Sequence, residues 1–462
     1  MKIKICYIGG GSRMWAKTFM NDLALQKDLE GEIFLYDIDL EAAKVNEIIG
    51  NKISAIENSA KWEYHATKDI KEAMVNANLV VISILPGTFK EMRSDVHTPE
   101  KYGIYQSVGD TVGPGGIIRA MRTIPIYFEF AKYIKEYASN AWVINLTNPM
   151  SICVRALYDS YPEIKAFGCC HEVFNAQEFL ACVVSEELKL PKPSRKEIEI
   201  DASGINHFTF ISKATFHDVN IFKLLETFME KYYETGYFER GPIDKFKYDP
   251  FAYGNKVKMH LFKEYGVLGG AGDRHLVEFM NNNWYLKDRD TIKSWLFNLT
   301  TVDYRIKDRM EKVQKSHNEA YGDALITLNK SSEEIVDFIR AIFGFKVIKS
   351  NVNLPNKGQV IGLSNDIIVE TNATFKENSV EPIIALPLPT SVLNLVSREA
   401  LNIEEVYQGI KHKDLKRIYN AFKNDPLLSN LGLEESKALF KEMIFNTKDY
   451  LEDYYNLEEY FE

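Results

Sequence analysis

Lys2-Ile3-Lys4-Ile5-Cys6-Tyr7-Ile8-Gly9-Gly10-Gly11-Ser12 decides how this chain is read. Ile3 to Ile8 is a short apolar run of strand length, and the glycines after it open a helical pattern that extends to about Glu30. A glycine turn between strand and helix leaves backbone N–H groups and the positive end of a helix dipole free for a pyrophosphate. Glu32–Tyr36 is the next strand; it ends at Asp37, and a helix follows from Leu40. A carboxylate at that strand end can accept hydrogen bonds from a ribose 2′-hydroxyl and repels a 2′-phosphate. Met14 stands where the third glycine of the dinucleotide fingerprint would be, so Gly9, Gly10, Gly11, Ser12 and Asp37 carry the dinucleotide reading without it; a tight turn with no ligand is the plainer alternative.

Outward from this unit the rhythm repeats. Leu79–Ile84 and Ala141–Leu146 are nearly continuous apolar runs, as strands buried on both faces require, and Ile164–Gly168 is a fifth candidate. Strands alternating with helices predict an α/β fold, an N-terminal Rossmann-type doubly wound parallel sheet over residues 1–195. Past Ile198 the pattern changes to short strands, Ile198–Ala202 and His207–Ser212, then long helical patterns over Val302–Leu328 and Ile403–Phe422, with strand character near Val360–Glu370. Residues 196–462 therefore read as an α+β domain for substrate, metal and oligomerisation, lactate/malate-dehydrogenase-like in its union with the first. The acidic, Tyr-rich stretch from Lys448 to Glu462 reads as a solvated terminal helix.

Composition limits the function classes. The 462 residues are 45% hydrophobic and 26% charged, as in globular proteins, with a net charge of −9. That charge argues against a nucleic-acid partner held on a basic surface. No apolar run approaches the roughly 18 residues of a membrane span, no secretory signal pattern is visible, and five cysteines are too few for a disulfide framework. The expectation is a cytoplasmic protein.

Ligands of doubly wound sheets sit beyond the carboxyl ends of the strands, and the suggestive residues lie there. Cys170-His171 follows the fifth strand, and His207 lies in Gly204-Ile205-Asn206-His207-Phe208. A thiolate and an imidazole can hold a divalent metal and leave positions open for substrate oxygens; a buried thiol and a hydrogen-bonded core histidine are the plainer alternative. Asp110-Thr111-Val112-Gly113-Pro114-Gly115-Gly116 opens a helix that carries Arg119 and Arg122 on one face, fit for an anion or for surface ion pairs. Gly269-Gly270-Ala271-Gly272-Asp273-Arg274-His275 is a second glycine loop, a site edge or a solvated turn.

In this order, Gly9–Ser12, Asp37, Gly113–Gly116, Asn148-Pro149, Cys170-His171 and Asn206-His207-Phe208 resemble glycoside hydrolase family 4 over most of the chain. Such enzymes stand outside the two-carboxylate rule of glycoside hydrolysis. The resemblance implies NAD and a divalent metal, usually Mn2+. It further implies transient oxidation of the hydroxyl at sugar carbon 3, proton loss at carbon 2 with a metal-stabilised enolate, expulsion of the aglycone, water addition and hydride return. Carried onto this sequence, it puts the metal on Cys170 and His207, the leaving-group acid on His171, and sugar hydroxyls on Asn148. It puts the base on Asp273, or on a tyrosine such as Tyr253 or Tyr265.

Cys170-His171-Glu172-Val173 looks like the α-galacturonidase subgroup, which implies an unphosphorylated α-uronide as substrate. The same family also offers α-glucuronides, α-galactosides and α-glucosides. A uronide carboxylate needs a cation, with Arg119, Arg274 and Arg13 as candidates, because a guanidinium fits a carboxylate bidentately. The family resemblance also suggests a homodimer or homotetramer. Two competing readings are an NAD-dependent hydroxy-acid dehydrogenase, which would accumulate NADH, and a nucleotide-binding sensor without turnover.

Overall fold

Alternate residues of the first strand face opposite helix layers: Ile5 and Tyr7 join one apolar core, Cys6 and Ile8 the other. The fourth strand repeats this, with Leu79 and Val81 on the first face and Val80 and Ile82 on the second. A strand covered on both faces reads as a continuous apolar run, which is why these segments are legible as strands. The computed structural model of the protein describes residues 1–239, 246, 249–452 and 455–457.

The parallel part contains β1 (Lys2–Ile8), β2 (Glu30–Tyr36), β3 (Trp62–Thr67), β4 (Leu79–Ile82), β5 (Trp142–Asn145) and β6 (Lys165–Gly168). Their spatial order is β6-β5-β4-β1-β2-β3, so the direction of winding reverses between β1 and β4. This is the doubly wound dinucleotide-binding order, with its crevice at the reversal. The Rossmann-type expectation holds, and β3 is added to it. Trp62 and Tyr64 are buried and alternate with Glu63, a half-buried-strand signature that the sequence reading passed over.

The second half extends the same sheet. β7 (Ile198–Ile205), β8 (Phe208–Phe216), β9 (Val219–Asn220), β10 (Leu268–Gly269), β11 (Ile348–Pro355), β12 (Ile368–Lys376) and β13 (Ser379–Pro382) are all antiparallel additions. β11 meets β6 at Asn353 opposite Gly168. A Cβ on Gly168 would lie 2.9 Å from the Asn353 Cβ and 2.8 Å from the Met150 sulfur, so only glycine admits this approach. The contact brings polar residues of β11 and β12 beside Cys169 and Cys170, which directly follow β6.

Several element bounds differ from the sequence expectation. The strand placed at Val360–Glu370 begins at Ile368, and β11 before it is new. The helix from Val302 stops at Tyr321, before Gly322. Ile403–Phe422 is two helices, Thr390–His412 and Leu415–Asn424, broken where Lys413 turns left-handed at φ 58°. Among its described residues the terminal stretch has a 3₁₀ turn at Lys448–Tyr450 and a helical residue at Leu457; residues 453–454 and 458–462 lie outside the described residues.

Candidate active site

The glycine loop after β1 is built for close approach. The N–H groups of Gly9 and Gly10 both donate to the Tyr36 carbonyl at 2.9 Å. Gly9 sits at φ 92°, where a Cβ would lie 2.0 Å from the Ser83 carbonyl oxygen. Gly11 N–H donates to Asp37 Oδ2 at 2.8 Å, and Asn46 Nδ2 donates to the carbonyls of Gly10 and Ser12. Ser12 Oγ accepts from Trp15 N–H at 3.1 Å at the start of the helix Trp15–Ala24. Asp37 Oδ1 accepts from Asp39 N–H, so each carboxylate oxygen retains a lone pair. Past Asp37 opens a recess of about 490 Å³ lined by Ile38, Asp39, Leu40, Glu41 and Lys68. The cradle and the carboxylate fit a dinucleotide.

The metal question centres on His207. It occupies the two-residue turn between β7 and β8 at φ 65°, a left-handed conformation rare outside glycine and common at functional sites. Its Nδ1 lies 2.8 Å from Thr111 Oγ1, whose own hydrogen goes to Asp110 Oδ1 at 2.8 Å. The Asp110 carboxyl is held well below its usual range: Arg119 leads the neighbouring charges that outweigh its burial. Ionised, it can only accept, and a hydroxyl has one hydrogen. Thr111 therefore accepts from His207 Nδ1–H, which leaves the Nε2 lone pair free for a ligand. Burial pushes the His207 imidazole down to about 3, with His275 adding to the effect, so the ring is neutral near pH 7.

His275 packs on His207 with ring centroids 3.9 Å apart. Donor atoms of Asp110, His207 and His275 all lie within 4.8 Å of one another, and no other group of three or more such side chains does so among the described residues. His275 Nδ1 is buried without a hydrogen-bond partner. Two neutral imidazoles and a carboxylate suit a divalent transition-metal cation such as Mn2+ or Zn2+. Sequence reasoning quoted Asp110 and His275 inside their motifs and gave them no role.

Cys170 stands outside that cluster. Its thiol is buried against Met150, Val154 and Ile368 and faces Asn206. Burial pushes it well above its usual value, and Glu370 and Glu172 add to this, so a thiolate here requires a cation beside it. Glu370 on β12 is a further buried group that no local sequence signal marks. It accepts from Thr209 Oγ1 at 2.9 Å and from Asn351 Nδ2 at 2.8 Å, while Asn351 also reaches the Cys170 carbonyl. Cys169 packs into the apolar core, as expected.

His171 is half-exposed at the start of the helix Glu172–Leu188. Its Nε2 lies 3.5 Å from Glu172 Oε1, its Nδ1 lies 3.6 Å from Glu333 Oε1, and its ring faces Trp15. Glu172 ties this motif to the second glycine loop. Its Oε2 accepts from Gly272 N–H at 2.8 Å, and its Oε1 is 3.8 Å from His275 Nε2. That loop is a buried site edge and not a solvated turn. Asp273 in it is fully buried and accepts from Val257 N–H at 3.1 Å and Lys258 N–H at 3.0 Å, capping the helix Lys256–Tyr265. Burial lifts its carboxyl to about 6 against the pull of Lys258.

The surface-pair reading of the two arginines fails. Arg122 is buried and forks onto both oxygens of Asp95 while its Nε donates to the Pro86 carbonyl. Arg119 is also buried, and its Nε has no partner. Arg274 reaches Thr300 Oγ1, stacks on Phe251, and leaves its own Nε unpartnered. Asn148 Oδ1 is likewise a buried acceptor without a donor. Arg13 donates to the Ala42 carbonyl beside the dinucleotide loop, away from this cluster.

A dinucleotide cradle, a neutral two-histidine cluster and buried polar atoms without partners suit a cofactor-assisted enzyme of small polar substrates. The profile of the Family 4 glycosyl hydrolases matches residues 4–186, and that of the family's C-terminal domain matches residues 202–428. The chain belongs to glycosyl hydrolase family 4 and is a glycoside hydrolase. It is 48% identical to the α-galacturonidase of Thermoanaerobacter italicus, covering 97% of each chain, and 43% identical to that of Bacillus subtilis, covering 96% of this chain and 97% of the relative. Among solved structures, lplD of Bacillus subtilis superposes with TM-score 0.91 at 42% identity, covering 96% of this chain and 100% of the other. At the level of fold alone, the Thermotoga maritima 6-phospho-β-glucosidase with manganese, NAD+ and glucose-6-phosphate gives TM-score 0.74 at 19% identity over 97% of this chain and 99% of that one.

Proposed function

We propose that this protein hydrolyses α-galacturonides with NAD and a divalent metal, Mn2+ in the first instance. The observation that carries the reading is the His207 relay, which presents a free imidazole lone pair beside Asp110 and His275. The α-galacturonidase relatives supply the substrate class, since identity of 43–48% runs over nearly the whole chain.

NAD would lie on Gly9, Gly10, Gly11 and Ser12 with its ribose toward Asp37; His207 and Cys170 would hold the metal with Asp110 and His275 beside them. When bound, these groups supply reversible hydride removal at sugar carbon 3 and Lewis-acid polarisation of the neighbouring oxygens. The chain's own residues then do the rest. Asn148 orients the hydroxyls at carbons 2 and 3. A base takes the carbon-2 proton, and His171 gives a proton to the leaving oxygen. Its half-exposure and the carboxylates of Glu172 and Glu333 suit a proton donor. Asp273 is the base in this reading, and its lifted carboxyl suits proton exchange near neutrality. His275 is the competing base, because it belongs to the cluster and its buried Nδ1 has no hydrogen-bond partner.

The same reading divides the chain functionally into residues 1–195 and 196–462, assembles it as a homodimer or homotetramer, and places it in the cytoplasm, where Cys170 stays reduced. All five cysteines are free, and no described helix is long and apolar enough to cross a membrane. The test is a panel of nitrophenyl α-glycosides with NAD+, Mn2+ and a thiol reductant. Cleavage of the galacturonide that depends on both additions supports the reading; indifference to both overturns it.

A further inference from the structure

Three guanidinium groups from distant parts of the chain converge on the segment Ser107–Asp110. Arg305, on the helix Val302–Tyr321, donates from Nη2 to the Val108 carbonyl at 2.6 Å, and its Nε is buried without a partner. Arg274 reaches Thr300, whose N–H donates to the Ser107 carbonyl at 2.9 Å; Ser107 Oγ in turn donates to the Arg274 carbonyl. Arg119 looks onto Asp110 from the helix Gly113–Tyr137.

The three cations face Asp110 and Glu278; Arg274 also faces Glu172, and Arg119 also faces Asp95. Asp95 is already forked by Arg122, and Glu172 already accepts from Gly272 N–H. Asp110 is turned toward the Thr111–His207 relay, and Glu278 Oε1 accepts from Val108 N–H at 2.7 Å and Gly109 N–H at 2.9 Å. Burial lifts the Glu278 carboxyl to about 7, so it is only partly charged. Burial, with Arg119 and Arg274 adding to it, pushes Arg305 down to about 10 against the pull of Asp110. Each of the three side chains retains a buried Nε without an acceptor. In a protein of net charge −9, such a concentration of unmet donors asks for an anion.

We propose that Arg305, with Arg119 and Arg274, forms the pocket that receives the carboxylate of the uronide, and that Arg305 sets the preference for uronides over neutral sugars. This rests on the galacturonide reading and deepens it. Arg305 supplies a guanidinium edge from outside both glycine-rich motifs. A change on the helix Val302–Tyr321 could therefore alter specificity without touching the metal or dinucleotide residues.

The test is calorimetric binding of free galacturonate and of galactose to the protein with NAD+ and Mn2+ present, in the wild type, Arg305→Met and Arg305→Lys. The wild type should prefer galacturonate. Arg305→Met should cut that preference about 100-fold, and Arg305→Lys should keep part of it. An unchanged galacturonate-to-galactose preference in folded Arg305→Met, or in Arg305→Lys if the first variant does not fold, overturns the proposal. A wild type without any galacturonate preference overturns the galacturonide reading itself.

Discussion

The hydroxyl of Thr111 joins Asp110 to His207: it donates to the first and accepts from the second, both at 2.8 Å. A residue in the loop that opens the helix Gly113–Tyr137 thereby sets the tautomer of a histidine in a hairpin almost a hundred positions later. Thr111→Val keeps the shape and removes the hydroxyl. Mn2+ affinity should fall about 10- to 100-fold, as for other groups that orient a metal-ligating histidine, while Thr111→Ser should retain it. Titration of the protein with Mn2+ followed by electron paramagnetic resonance reads this directly.

Glu172 is the pin between two motifs. Removing its carboxylate in Glu172→Ala leaves the buried Gly272 N–H without its acceptor and His275 without its nearest carboxylate. Stability should drop by about 1–3 kcal/mol. Denaturant unfolding at constant pH measures the loss, and an unchanged midpoint would show that the loop holds its position without Glu172.

At Gly11 a Cβ would stand 2.7 Å from the Ala42 Cβ and 2.8 Å from Asp37 Oδ2. Gly11→Ala should therefore displace Asp37 and the loop together, lowering NAD+ affinity and costing about 1–3 kcal/mol of stability. Isothermal titration with NAD+ gives the first quantity and thermal unfolding the second.

Much of this arrangement was legible in the sequence. β1, β4 and the glycine loop announce themselves because a strand buried on both faces is uniformly apolar and a turn against a neighbouring backbone must be glycine. Cys170, His171 and His207 stand at strand ends or turns, where ligands bind. Arg305, Glu278 and Glu370 were not legible. Each lies in an ordinary helix or strand and acquires its meaning from a partner far away in the chain: Val108 and Gly109 for the first two, Thr209 and Asn351 for the third. Local periodicity carries no information about such pairings. The role of Asp273 was equally hidden, because its helix-capping contact depends on where Val257 and Lys258 fall.

Glu278 gives the protein a defined pH response. Its folded carboxyl titrates near 7 against an ordinary 4.5, because burial disfavours the charge. Between about 4.5 and 7 the folded chain keeps a proton that the unfolded chain releases. Its contribution to stability is therefore complete below that window and declines as pH rises through it, by up to roughly 3 kcal/mol. Glu278→Gln should flatten that part of the decline, so unfolding temperatures of the variant and the wild type should diverge in favour of the variant from pH 5 to pH 7.5. Parallel curves would contradict the assignment.

The most direct test of the central claim is the isotopic composition of the sugar released from an α-galacturonide in deuterated buffer with NAD+ and Mn2+. Oxidation at carbon 3, proton exchange at carbon 2 and return of the hydride predict galacturonate carrying deuterium at carbon 2, with no net NADH absorbance. Galacturonate released without deuterium at carbon 2, or product formed with stoichiometric NADH, would contradict it.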